Sequence, residues 1–305
     1  MSAVVIILIA SIFASIPPSK FPSGAIISIK TGTTLSQAAK QLADQGIIRS
    51  QFMYKAFVVI TGESTRVMSG DYLFDQPQSV IRVAFRTAHG VQGIPKIRVT
   101  IPEGSDSKDI ASILKKNIPG FDSTGFLTLA SNNEGYLFPD TYFFYANATP
   151  TEVVDTMHSN FNKHIATLSN EIKTFGKPLG DIITMASIVE KEATSSIDRQ
   201  IVAGILWKRL ENNMPLQVDP PFFFFLNKTS DQLTLADLAT DSPYNLYKHT
   251  GLPPTAIDDP GLDAILDTVT ATTTKYFFYL SDKNGAMHYA TDYSGHLANK
   301  EKYLR

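Results

Sequence analysis

The chain has 305 residues, 43% of them apolar, with 27 Lys and Arg against 29 Asp and Glu, six His and no Cys. Such a chain can build the cores of two domains, and it is neither a disordered segment nor a general binder of duplex nucleic acid. Without Cys there is no thiol nucleophile, disulfide, iron–sulfur cluster or Cys-ligated zinc, and the six scattered His leave only carboxylate or imidazole metal sites conceivable.

The first predicted element is apolar. No charged side chain occurs between Met1 and Ser19, and VVIILIASIFASI over 4–16 is almost entirely aliphatic until Pro17 and Pro18 stop it. A hydrocarbon core of about 30 Å needs roughly 20 helical residues, so a membrane anchor over 1–19 is expected but short; a buried strand or helix of a soluble domain is the other reading. Next, IISIKTGTTLSQAAKQL and IRVTIPEGSDSKDIASIL align with a shift of 72 residues, matching Ile29 with Ile101, Gly32 with Gly104, Ala39 with Ala111 and Leu42 with Leu114. Each copy predicts a strand, a Gly turn and a helix, capped by Thr34 or Ser36 in the first and by Ser105 or Ser107 in the second. The first copy resembles the opening of a LysM module, a small fold that binds N-acetylated sugar chains; a plain α+β packing unit is the alternative. Between the copies, Gly70, Asp71 and Tyr72 followed by VIRVAFRTAHG predict a further strand, a helix and a Gly stop.

Beyond residue 120 the chain becomes rich in aromatic clusters. A long polar helix is expected over 151–174, then two helices joined by a tight connection. FFFFL at 222–226 reads as a strand, and YFFYLSD and AMHYAT form a hairpin about Asn284-Gly285. The fold class is α+β, with an N-terminal transmembrane helix, a small LysM-like strand–helix unit and a mixed α+β catalytic domain; the expected boundaries are 1–19, 24–93 and 94–305.

In DIITMASIVEKEA, with Asp181 as the expected N-cap, Met185, Ile188, Val189 and Glu192 fall on one side of a helix at 100° per residue. Glu192 therefore emerges from an apolar stripe in the last turn, where burial and the negative end of the helix dipole both favour the protonated acid. Glu190 lies about 200° away and cannot aim at the same atom. Composition alone leaves a second reading open, in which both are surface charges.

Four blocks then bear on the choice: EGYLFPDTY at 134–142, ASIVEKEA at 186–193, RQIVAGILWKRLENNMPLQVDP at 199–220 and SPYNLYKHTGLPPTAI at 242–257. In this order, with His296 and Asn299 in the closing segment, the chain resembles the MltG (YceG-like) family of endolytic murein transglycosylases, differing at Pro221, Leu246 and Thr255. The resemblance implies a lytic transglycosylase, single-pass in the plasma membrane with its catalytic domain outside the cytoplasm. Such an enzyme cuts nascent peptidoglycan strands between MurNAc and GlcNAc and leaves 1,6-anhydroMurNAc ends.

The family's catalytic Glu falls on Glu192. Gln217 and Asp219 are candidate sugar ligands, Asp219 alternatively capping a turn. Asn245 and Tyr247 offer amide and phenol bonds, and Glu134 and Asp140 either contact acetamido groups or hold the aromatic cluster. No metal or other cofactor is implied. Penicillin-binding proteins or other wall synthases are the implied partners, and a non-catalytic peptidoglycan-binding scaffold is the competing function. The four rings Phe222 to Phe225 are read as a buried strand, an aggregation-prone edge, or a lipid- or sugar-facing surface.

Overall fold

The structure, a computed structural model, describes residues 16–61, 67–228 and 232–304. The expected anchor lies mostly on residues 1–15, outside the described residues; among the described ones no helix is long and apolar enough to cross a membrane. The chain divides into two compact units, Met1–Lys96 and Ile97–Arg305.

In the first unit, β1 (Ala25–Ile29) pairs antiparallel with β2 (Gly70–Phe74), Ile27 opposite Tyr72. Alternation sets that register: Ile27 and Ile29 are buried while Ile26 is 48% exposed. Between the strands run α1 (Leu35–Asp44) and α2 (Gln51–Thr61), and α3 (Val80–His89) follows and stops at left-handed Gly90. Thr34 caps α1 in a reciprocal capping box with Gln37. Ala39, Leu42, Tyr54, Val58, Phe74 and Val83 form the core.

The second unit opens with the other repeat copy. Strand β3 (Lys96–Thr100) pairs with β4 (Thr141–Tyr145), and between them run α4 (Ser107–Asn117) and α5 (Ser123–Ala130). Ala111 and Leu114 are buried as Ala39 and Leu42 are, so the repeat is structural. The cap of α4 is Asp106, between the two expected serines: its carboxylate accepts from the backbone N–H groups of Lys108 and Asp109. Ser105 instead donates to the Pro102 carbonyl and Ser107 to Glu134.

Helices α6 (Pro150–Thr167) and α7 (Ser169–Phe175) replace the single expected helix. The break is at Leu168, whose N–H bonds the Ile165 carbonyl three residues back and whose side chain enters the core beside Phe161. Then come α8 (Leu179–Glu192), α9 (Ser196–Glu211), α10 (Pro220–Leu226), α11 (Leu235–Leu238) and α12 (Leu262–Val269). The antiparallel hairpin β5 (Phe278–Ser281) and β6 (Met287–Ala290) and the helix α13 (Tyr293–Tyr303) close the chain. The hairpin turn falls where Asn284-Gly285 places it, with Gly285 at φ 81° and the Asp282 carboxylate accepting from the N–H of Asn284 and Ala286.

Two further expectations are corrected. FFFFL is helical: Pro220 and Pro221 occupy the first turn, where a missing N–H costs nothing, and left-handed Asn227 ends the helix. Helical spacing buries Phe222 fully and leaves Phe223, Phe224 and Phe225 half-buried. Asp181 is not a cap, because α8 begins at Leu179 after Pro178 and Asp181 lies inside its first turn. Helix α8 is also more enclosed than a striped helix. Every residue from Ile182 to Val189 is buried, one side against Val202, Leu206 and Leu216 and the other against Phe138, Phe161 and Ile265.

Candidate active site

Helix α8 delivers Glu192 as its last residue, at the edge of a cleft of about 400 Å³ in the second unit. Arg209 reaches the cleft from α9, Gln217 and Asp219 from the loop before α10, Tyr247 from the following loop, Tyr279 from β5, and Tyr293, His296 and Lys300 from α13.

Glu192 is half-buried, its open side facing the cleft. Its carboxyl pKa is pushed up to about 7, chiefly by burial; the Tyr279 hydroxyl pulls the other way, the Asp219 carboxylate adds to the rise and the Arg209 guanidinium opposes it. Tyr279 faces the acid, and its buried hydroxyl has no other hydrogen-bond partner among the described residues. Burial, with the Glu192 charge next, raises its own pKa far above that of a free phenol. An acid protonated near neutrality and a phenol still able to donate thus share one wall.

The remaining wall is held by hydrogen bonds. Arg209 donates from Nε to the Phe277 carbonyl at 2.7 Å and from Nη1 to the Leu216 carbonyl at 2.7 Å, with a longer contact to Gln217 Oε1 at 3.4 Å. One guanidinium therefore ties the 216–219 loop to the residue just before the strand carrying Tyr279. Gln217 adopts φ 53°, a left-handed conformation costly for a residue other than Gly or Asn, and its exposed side chain lines the cleft. Asp219 accepts from the Tyr247 hydroxyl at 2.7 Å, so these two are a bonded pair on the cleft wall and Asp219 makes no side-chain cap on α10.

Three expected sugar ligands are elsewhere. Asn245 is fully buried: its amide donates to the carbonyls of Leu238 and Thr240 and accepts from the Tyr247 N–H, leaving it to shape the loop that presents Tyr247. Glu134 is buried against Ser107, accepting from its N–H at 3.1 Å and its hydroxyl at 2.6 Å, and burial pushes its pKa to about 7. Asp140 accepts from the Thr141 N–H and the Asn160 amide at the foot of the aromatic cluster. Neither carboxylate lines the cleft. Glu190 likewise turns away, accepting from the Gly261 N–H at the start of α12 at 3.0 Å and lying 4.0 Å from Arg199.

Arg209, Tyr279, Tyr293 and Lys300 were absent from the sequence-based candidates. Arg209 did carry a signal, because Val202, Leu206 and Arg209 share one face of α9 at the spacing that singled out Glu192. His288 is structural, bonded to Asp282 at 2.9 Å and stacked on Tyr303, whereas His296 stacks on Phe278 and lines the cleft. Among the described residues no group of three or more His, Cys, Asp and Glu side chains could hold a metal ion.

The model of the YceG-like family matches residues 27–302. The chain belongs to that family. Its relatives include a Bacillus subtilis protein named endolytic murein transglycosylase, 28% identical, the match covering 91% of this chain and 84% of that one. A Streptococcus pneumoniae protein of the same name is 33% identical over 177 residues, covering 56% of this chain and 32% of its own. The fold is also that of a YceG-like protein from Listeria monocytogenes solved by crystallography: TM-score 0.61, 24% identity, 90% of this chain and 99% of that one. Within this YceG-like chain, the 192-residue acid, the 216–219 loop and Tyr247 all fall in the matched region.

Proposed function

We propose that the chain is a peptidoglycan lytic transglycosylase that cuts glycan strands internally between MurNAc and GlcNAc, with Glu192 as its acid–base residue. The observation that carries this reading is the Glu192 carboxyl on a cleft wall with its pKa near 7. A protonated Glu192 gives its proton to the leaving glycosidic oxygen as the C1–O bond breaks. The MurNAc C6 hydroxyl then attacks C1, the ionised Glu192 takes the hydroxyl proton, and a 1,6-anhydro ring closes. The nucleophile belongs to the substrate, so intramolecular attack replaces an activated water and no second catalytic carboxylate is required. Gln217 and Tyr247 line the cleft where sugar hydroxyls and acetamido groups would lie, and Asp219 orients Tyr247 and helps hold the proton on Glu192. The names of the Bacillus and Streptococcus relatives support the same chemistry.

The finer reading includes a membrane anchor over residues 1–19, a catalytic domain outside the cytoplasm, a LysM-like domain over 24–93 and partnership with wall synthases. The uncharged N-terminal run supports the anchor, and the strand–helix–helix–strand order of β1, α1, α2 and β2 supports the LysM likeness.

Glu192→Gln keeps the side-chain shape and removes the proton. Release of anhydromuropeptides from purified glycan should fall by at least ~100-fold, the usual scale of lost general acid catalysis, while strand binding persists. Undiminished release would reject Glu192 as the acid, and the scaffold reading would gain if the wild type released nothing. The presence of Asp219 beside Glu192 favours one further reading, a hydrolase in which Asp219 activates water. Mass spectrometry of the product ends decides between them: anhydro ends for the transglycosylase, reducing ends for the hydrolase.

A further inference from the structure

The first unit presents an apolar surface beside the end of the uncharged N-terminal run. Helix α2 turns Tyr54 and Val58 into the core and presents Phe52, Val59 and Ile60 outward, at 75%, 53% and 75% exposure. Their spacing of seven and eight residues puts them on one side of the helix, within an arc of about 100°. Arg49, just ahead of α2, donates from Nε to the Pro17 carbonyl at 3.0 Å, which fixes the end of the run next to the N-terminal end of that helix. Residues 1–19 contain no charge and no polar stripe. Packed along α2, such a run would still leave its far side in water, so a lipid phase is the occupant that covers both.

Charge agrees with this. Residues 1–96 contain nine Lys and Arg against four Asp and Glu, whereas residues 97–305 contain eighteen against twenty-five. The positive excess thus belongs to the unit with the apolar helix face, the combination by which interfacial helices hold an anionic membrane.

We infer that the outward face of α2 is a bilayer-docking surface, with Phe52, Val59 and Ile60 entering the interface of an anionic lipid membrane beside the point where the N-terminal run enters it. The inference rests on the membrane-anchored part of the proposed function and is independent of Glu192. Docking would keep the first unit against the lipid surface instead of leaving it on a free tether.

The absence of Cys makes a clean test. Full-length Ile60→Cys and Phe52→Cys, with Leu235→Cys (86% exposed, second unit) as the reference, are labelled with an environment-sensitive dye. Each is reconstituted into phosphatidylglycerol–phosphatidylethanolamine vesicles that carry a nitroxide on a shallow acyl position. The labels at 60 and 52 should shift to the blue and lose most of their emission to the nitroxide, while the label at 235 stays bright. At ~1 M salt, where the screening length is about 3 Å, the quenching should weaken. A chain that floats with the vesicles but leaves the labels at 52 and 60 as bright as that at 235 overturns docking and spares the anchor; a chain that does not float overturns both. A blue shift that needs no lipid and grows with protein concentration assigns the face to a second copy of the chain and also overturns the inference.

Discussion

At Glu192 the decisive quantity is a proton affinity built by neighbours from different parts of the chain. Asp219 contributes through its charge, so Asp219→Asn, whose amide oxygen still accepts from Tyr247, should lower the Glu192 pKa. In the proposed mechanism the reaction begins with protonated Glu192, so kcat/KM should fall as pH rises through about 7 in the wild type. In the variant that falling limb should move to lower pH by up to ~1 unit, or about 1.4 kcal/mol. Profiles of anhydro-end release against pH measure it, and a limb that stays in place would show that Asp219 does not act on the acid. Glu192 was legible because a carboxylate at an apolar helical position is conspicuous; Arg209 stands at the same spacing on α9 but was not singled out. Asn245 was not: whether an amide faces a sugar or a loop's own carbonyls depends on where the chain returns.

Helix α9 shows how one element fixes the shape of the cleft wall. Its Arg209 bridges Leu216 and Phe277, and its Gly204 passes so close to the Thr272 carbonyl that a Cβ there would overlap backbone. Gly204→Ala must therefore shift α9 or the 271–275 segment, with an expected destabilisation of roughly 1–3 kcal/mol by calorimetry. The same shift would misplace Arg209 and lower activity at temperatures where the variant stays folded; a variant with unchanged stability and activity would refute the close packing. The repeat, the hairpin turn and the helix bearing Glu192 were readable because each rests on local spacing and turn chemistry. Four consecutive Phe gave no period, and the preceding Pro-Pro pair, acceptable in a first helical turn, decided for helix.

Across the whole molecule, burial of carboxyl groups couples stability to pH. Burial is the main cause that raises Glu134 and Glu192 to about 7 and lifts Asp258 and Asp259 well above the usual range. Each holds its proton in the folded state and loses it near pH 4 when unfolded, so its stabilising contribution is complete below that pH and is lost as pH rises through the folded value. The thermal midpoint should accordingly be higher at pH 5 than at pH 8, with at most about 3 kcal/mol from each Glu. Glu134→Gln and Glu192→Gln should each flatten the slope in scanning calorimetry, and a midpoint that rises toward pH 8 would contradict this account.

By itself the sequence determined the α+β class, the repeated strand–helix unit, the uncharged run at the start of the chain, and one glutamate set apart by its place on an apolar face. All of these depend on periodicity and on neighbours a few residues away. Only the tertiary structure decided that Tyr247 and Asp219 form a pair, that Tyr279 faces the acid, and that Asn245, Glu134 and Asp140 are occupied elsewhere. A side chain's hydrogen-bond partners and the solvent it loses are properties of the packed interior, where residues far apart in the chain meet.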